Sequence, residues 1–231
     1  MHEKLLWFND NIQYMFHENI VEYDMVAASI SVSEHFHLLD DATIQHLKLL
    51  PKEQRTRRIG CMQRDDKNFS EQLISGILEM RRKFIERNGL DESSVLALHS
   101  DAIMFASKKP IISDIDGVEF MHKHTWSSYI HYQNVEMFYG DGHIDYKGIP
   151  KDILNQHTLG IHTYLCKIFD MIENYDTSVL KYISRFQKQY LQDKLQEYFY
   201  IPFGKNGTYK FDNLGLFAFI ANIVLSEVNS W

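Results

Sequence analysis

The stretch VLALHSDAIMFA (residues 95–106) sets a lone aspartate, Asp101, between two apolar runs. An unpaired carboxylate is costly to bury, so either the chain turns there or a cation meets the charge. Two strand-length runs separated only by Ser100 and Asp101 read as a tight β-hairpin with Asp101 at the turn. Upstream, NIVEYDMVAASISV (19–32) opens on an apolar, β-branched run that reads as a strand ending near Asp24.

Between these two strands the pattern is helical. Residues 41–50 form one candidate helix, stopped by Pro51. In FSEQLISGILEMRRKFIERN (69–88), Phe69, Leu73, Ile77, Met80 and Phe84 recur at three- and four-residue steps, an amphipathic helix that Asn88-Gly89 terminates. Residues 5–16 read as a short helix. Strands are expected at 118–120, within WSSYIHYQNVEMFYG (126–140), and at IDYKGI (144–149). Beyond Pro150 long helical periods take over, at 157–175, 178–200 and 214–228. The pattern predicts an α+β domain over residues 1–150, with a helical insertion at about 40–90, followed by a helical region over 151–231.

The chain has 231 residues and a net charge of -7, so any nucleic-acid surface must be local rather than global. Its one dense basic run is KEQRTRRIGCMQRDDK (52–67), carrying Arg55, Arg57, Arg58, Arg64 and Lys67. Two cysteines supply neither a disulfide framework nor a thiolate zinc site. The first residues, MHEKLLWFNDNIQ, lack a basic region followed by an apolar core, and no apolar run approaches membrane-span length; a cytoplasmic location is expected. Walker A, Rossmann and G-x-S-x-G patterns are absent, which leaves P-loop, dinucleotide and serine-hydrolase chemistry without their usual supports.

Two carboxylates brought together at strand ends repel unless they share a cation, and Mg²⁺ prefers such oxygen ligands. Paired carboxylates of this kind serve nucleotidyl transfer. IVEYDMVAASIS (20–31) resembles motif A of the family B DNA polymerases, D-x-x-S-L-Y-P-S after a hydrophobic strand, with Asp24 in the place of its aspartate. VLALHSDAIMF resembles motif C, D-T-D-S between two strands, with Asp101 on its second aspartate. IDYKGI resembles the lysine-glycine motif that follows, with Lys147 and Gly148 in the place that contacts the primer-template backbone. The resemblance implies a palm-like antiparallel sheet with a helical fingers insertion and a helical, thumb-like C-terminal region. It also implies Asp24 and Asp101 as catalytic and Mg²⁺-binding residues, with residues 55–67 meeting a nucleoside triphosphate.

Two of the chain's departures from the motifs bear on the chemistry: His99 replaces the first acid of motif C, and Ser29 replaces the motif A tyrosine that screens the sugar. A chain this short, with no room for a proofreading exonuclease, suits a phage or mobile-element accessory enzyme, with a protein partner in a replication or transcription complex. The alternative is a palm-derived or unrelated binding or assembly module without catalysis, which the two departures and the acidic charge favour. His35 with His37 and His122 with His124 have the i, i+2 spacing of one strand face, but a transition-metal site needs three or four converging ligands. The aromatic run 126–140 would stack bases if exposed and build a core face if half-buried.

Overall fold

A computed structural model of the chain describes residues 4–149, 154–155, 159–201 and 213–231. The fold is α+β, with two antiparallel sheets and helices placed between and after the strands. The backbone forms two compact units. One comprises Met1–Asp10 and Val21–Thr125; the other comprises Asn11–Ile20 and Trp126–Trp231.

The first unit carries a six-stranded sheet in the order β1-β4-β5-β3-β7-β6: β1 Leu6–Phe8, β3 Ile20–Met25, β4 Val95–His99, β5 Ala102–Ala106, β6 Asp114–Ile115 and β7 Val118–Trp126. The expected hairpin is present: β4 and β5 pair with His99 opposite Ala102 and Leu98 opposite Ile103, leaving Ser100 and Asp101 as a two-residue turn. The sequence reading of a helix over 5–16 is corrected. Leu6–Phe8 instead pairs with β4, Trp7 opposite Leu98, and Tyr14–Met15 (β2) joins the other unit's sheet. The break between them is local chemistry: the buried side-chain amide of Asn9 donates to the carbonyls of Glu92 and Val95 at 2.5 and 2.9 Å, an alternative to helical bonding that Asn takes readily.

Four helices fill the stretch between β3 and β4: α1 Ala28–His35, α2 Asp41–Leu49, α3 Lys52–Asp65 and α4 Lys67–Arg87. Asp40 caps α2 through Thr43 N–H at 2.8 Å, and Asp66 caps α4 through Phe69 N–H at 3.0 Å. Gly89, at φ 60°, ends α4 as its sequence foretold. The α4 stripe (Phe69, Leu73, Met80, Phe84) buries against Val32, Ile103, Phe105 and Phe120 in a single core. By contrast α3 buries only Ile59.

In the second unit β2 (Tyr14–Met15), β8 (Ser128–Tyr132), β9 (Val135–Gly140) and β10 (His143–Lys147) form a sheet in the order β10-β9-β8-β2. Helices α5 Ile161–Glu173, α6 Val179–Leu191 and α7 Asn213–Val228 share its core, with Met137 and Tyr139 meeting Tyr164, Phe169 and Phe217. The aromatic run 126–140 is thus core, not platform: all six residues of β9 are buried. The boundary read at Pro150, a residue outside those described, falls instead between Thr125 and Trp126, because β8–β10 bury their apolar side with the C-terminal helices. The helix expected over 178–200 stops at Leu191, where Asp193 turns left-handed (φ 51°), and Glu197–Tyr200 is a separate 3₁₀ turn. His157 and Thr158, read as the start of the preceding helix, lie outside the described residues. No helix among the described residues is long and apolar enough to cross a membrane.

Two glycines give opposite, measurable expectations. A Cβ on Gly76, mid-α4, would stand 2.5 Å from Val32 Cγ1 and 2.9 Å from Phe36, whereas a Cβ on Gly60, mid-α3, meets nothing within 4 Å. Gly76→Ala therefore loses its propensity gain of about 1 kcal/mol to overpacking of about 1–3 kcal/mol and lowers the denaturation midpoint, while Gly60→Ala raises stability by about 0.5–1 kcal/mol. Equilibrium urea unfolding checks the pair; a stabilised Gly76→Ala would refute the tight α1–α4 contact.

Candidate functional site

Asp24 is the penultimate residue of β3, and Asp101 lies in the β4–β5 turn. The Met25 N–H donates to the Asp101 carbonyl at 3.2 Å, so the turn is stitched to the end of β3. This register brings Asp24 and Asp101 to one cleft, where their carboxyl charges couple. Burial first, and the Asp24 charge second, hold the Asp101 carboxyl above the usual aspartate range; the Arg81 charge opposes them.

Around this pair the first unit forms a cleft of about 340 Å³. Its floor is the chain after β3, where Ala27 takes a left-handed conformation (φ 48°) and Ser31 Oγ donates back to the Val26 carbonyl at 2.7 Å. One wall is α3, through Lys52, Arg55 and Thr56. Lys123 of β7 enters from the sheet, its Nζ 4.0 Å from Asp24 Oδ2. Lys52 and Arg55 have no ion pair among the described residues, so their charge is available to a ligand. Two anionic oxygen groups and three cations thus share one small cleft. The donor set is oxygen-only, the kind a hard divalent cation takes.

Behind the turn lies Arg81 of α4, the largest fully buried side chain described. Its Nη1 donates to the Ser100 and Leu5 carbonyls at 2.7 and 2.9 Å, and its Nη2 to the Lys4 carbonyl at 2.5 Å. Burial pushes this guanidinium down to about 10, still charged at neutral pH, and the Asp101 charge favours its protonated form. Arg81 therefore clamps the turn that presents Asp101 and supplies positive charge from beneath it.

The residues read from the sequence are not all brought together. Asp24, Asp101 and Arg55 line the cleft, as does Ser29. Arg57 and Arg58 lie on the other side of α3, in a separate groove. Arg64 is turned to Asp65 at 2.9 Å, and Lys67, almost fully exposed, stands 3.6 Å from Glu71. Lys147 ends β10 in the second unit. Gly148 next to it has a structural reason to be glycine: its φ is 87°, and a Cβ would run into the Asn134 carbonyl. His99, in the place of the first motif acid, packs its ring edge-on against Phe8 at 5.5 Å. Among the described residues no three His, Cys, Asp or Glu side chains converge on a metal position, and His122 meets Thr125 Oγ1 at 2.8 Å.

Three site residues escaped the sequence reading: Lys52, Lys123 and Arg81. Arg81 had a signal, since it lies four residues after Ile77 and three before Phe84, on the apolar stripe of its own helix. Lys123 had none, because only the β3–β7 neighbourhood brings it to Asp24.

A family model matches residues 1–228. The chain belongs to the family described as Bacteriophage PBS1 gene 130 protein. Membership in this phage family agrees with the phage origin suggested by the short chain. No curated protein and no solved structure matches the chain.

The raised proton affinity of Asp101 makes a stability prediction. The folded state binds more protons than the unfolded one between the ordinary aspartate range and the raised value, so this group's contribution favours folding at low pH and is lost as pH rises through that window. Like charges about 4 Å apart repel by about 1 kcal/mol even in water. Asp101→Asn should therefore raise Tm by about 2–4 °C at neutral pH in chelator, an advantage that shrinks on acidification. Calorimetry across pH checks it; an equal or lower Tm at neutral pH would contradict the strained pair.

Proposed function

We propose that the protein is a nucleotidyltransferase resembling a minimal DNA polymerase palm, acting at a nucleic-acid 3′ end. The observation that carries this reading is the side-by-side placement of Asp24 and Asp101 in a cleft whose opposite wall offers unpaired cations. In this reading Asp24 and Asp101 hold Mg²⁺, which supplies charge neutralisation at the attacking and leaving oxygens when bound. Arg55, Lys52 and Lys123 hold the triphosphate by charge-assisted hydrogen bonds, fixing it for in-line attack. Arg81 positions the Asp101 turn without touching substrate.

The helices α3 and α4 take the part of the fingers, and α5–α7 that of the thumb. Lys147 contacts a primer-template backbone. Asp101 works deprotonated, so its raised proton affinity predicts activity that rises with pH until this group ionises. The phage family fits a role on phage nucleic acid in the host cytoplasm, beside a replication or transcription partner.

The second reading, a nucleic-acid binding or assembly module without catalysis, draws on His99: the position that carries another acid in motif C is spent on an aromatic contact with Phe8. Extension of a labelled primer on a template in Mg²⁺ separates the two. The wild type should extend it; Asp24→Asn and Asp101→Asn should each lose at least 10²–10³-fold, the scale on which removal of one preorganised electrostatic contact acts. Arg55→Ala should raise KM for the triphosphate by about tenfold or more. Extension unchanged in both aspartate variants would overturn the assignment, and nucleic-acid binding without extension in the wild type would favour the second reading.

A further inference from the structure

The helix α3 has two working faces, and the nucleotidyl-transfer reading uses only one. On its far side Gln54, Arg57, Arg58, Cys61 and Met62 border a groove of about 840 Å³, closed by residues 38–50 and by the start of α4. The groove is apolar within and basic at its rim. Leu38, Leu39, Leu50 and Met62 are only partly covered by the core behind them. Leu49, on the last turn of α2 and next in sequence to the groove residue Leu50, is 85% exposed. A half-covered aliphatic surface of this kind beside an exposed leucine marks an interaction site.

The charges define the occupant. Arg57 and Arg58 are exposed and have no ion pair among the described residues. Of the two acids of the groove, Asp65 is paired with Arg64 at 2.9 Å, and Asp66, which caps α4 through Phe69 N–H, is a single carboxylate against two arginines. The uncompensated charge is therefore positive, on a chain whose net charge is -7. Aliphatic side chains seat apolar side chains, whereas an extended nucleic-acid strand stacks successive bases on several exposed rings; the groove offers one exposed ring, His46, its phenyl ring, Phe69, being buried. We propose that this groove docks a segment of a partner protein that combines leucine-like side chains, which fill the floor, with carboxylates that pair with Arg57 and Arg58. The inference stands apart from nucleotidyl transfer, since no residue of the carboxylate cleft enters it.

Cys61, half-buried in the groove, is a built-in reporter, and Cys166 in the second unit is its internal control. A displayed random dodecapeptide library is selected on the full chain, with counter-selection on the Arg57→Glu/Arg58→Glu double variant. Enriched peptides should combine Leu, Met or Phe with Asp and Glu, and bind the double variant about tenfold or more weaker. They should slow alkylation of Cys61 and leave Cys166 unchanged; both arginines are exposed, so the variant should keep the wild-type Tm. Four results would overturn the proposal: no enrichment of acidic-apolar sequences, equal binding to the double variant, Cys61 alkylation unaffected by peptide, or occupation by another partner. The last would appear as an oligothymidylate that protects Cys61, or as a dimer in sedimentation that the double variant abolishes. None of these outcomes depends on primer extension.

Discussion

Two like charges are held side by side by the backbone, and the rest of the first unit is arranged around that constraint. The Asp101 turn cannot drift from Asp24 without breaking the Met25 to Asp101 hydrogen bond and withdrawing the Ser100 carbonyl from Arg81. Arg81 in turn cannot leave without taking its donors from the Lys4 and Ser100 carbonyls and leaving that of Leu5 to the Ser100 N–H alone. A fold selected for stability alone would separate the carboxylates or insert a cation between them. Instead the nearest cation to Asp24, Lys123, stands at the 4.0 Å limit of an ion pair, and burial raises the proton affinity of Asp101. A site that stores repulsion in this way gains stability when a divalent cation enters, and that gain is binding energy.

The polar helix α3 answers a second requirement. With one buried residue, Ile59, it adds little to the core, and most of its length is given to surface facing two depressions. Residues 52, 55, 56, 59 and 63 fall on the carboxylate side, and 54, 57, 58, 61 and 65 on the other. The helical period therefore divides one basic run between two faces. Arg55 lines the cleft, and Arg57 and Arg58 line the groove.

Much of the first unit was legible because its signals are local. The VLALH and AIMFA runs, the stripe from Phe69 to Phe84 and the Asn88-Gly89 stop all state their structure within a few residues, and the pairing of Asp24 with Asp101 followed from two strand ends. What failed was non-local. Leu6–Phe8 is a strand because β4 offers it an edge, a partner some ninety residues on that no period in LWF announces. The grouping of β8–β10 with the C-terminal helices depends on which side of each strand is buried, and β9, buried throughout, hides that side. Within the site, residue type alone could not assign the arginines of 55–67 to separate faces, and it could not see Lys123 or the buried clamp of Arg81.

The claim on which the functional account rests is that Asp24 and Asp101 together hold a divalent cation. Titration of the full chain with Mn²⁺, followed by loss of the free-ion electron paramagnetic resonance signal and reversed by Mg²⁺, tests this without reference to activity. The account predicts bound Mn²⁺ in the wild type that Mg²⁺ displaces, with affinity lost in both Asp24→Asn and Asp101→Asn. Mn²⁺ binding of equal strength in the wild type and both variants, or none in the wild type, would contradict it.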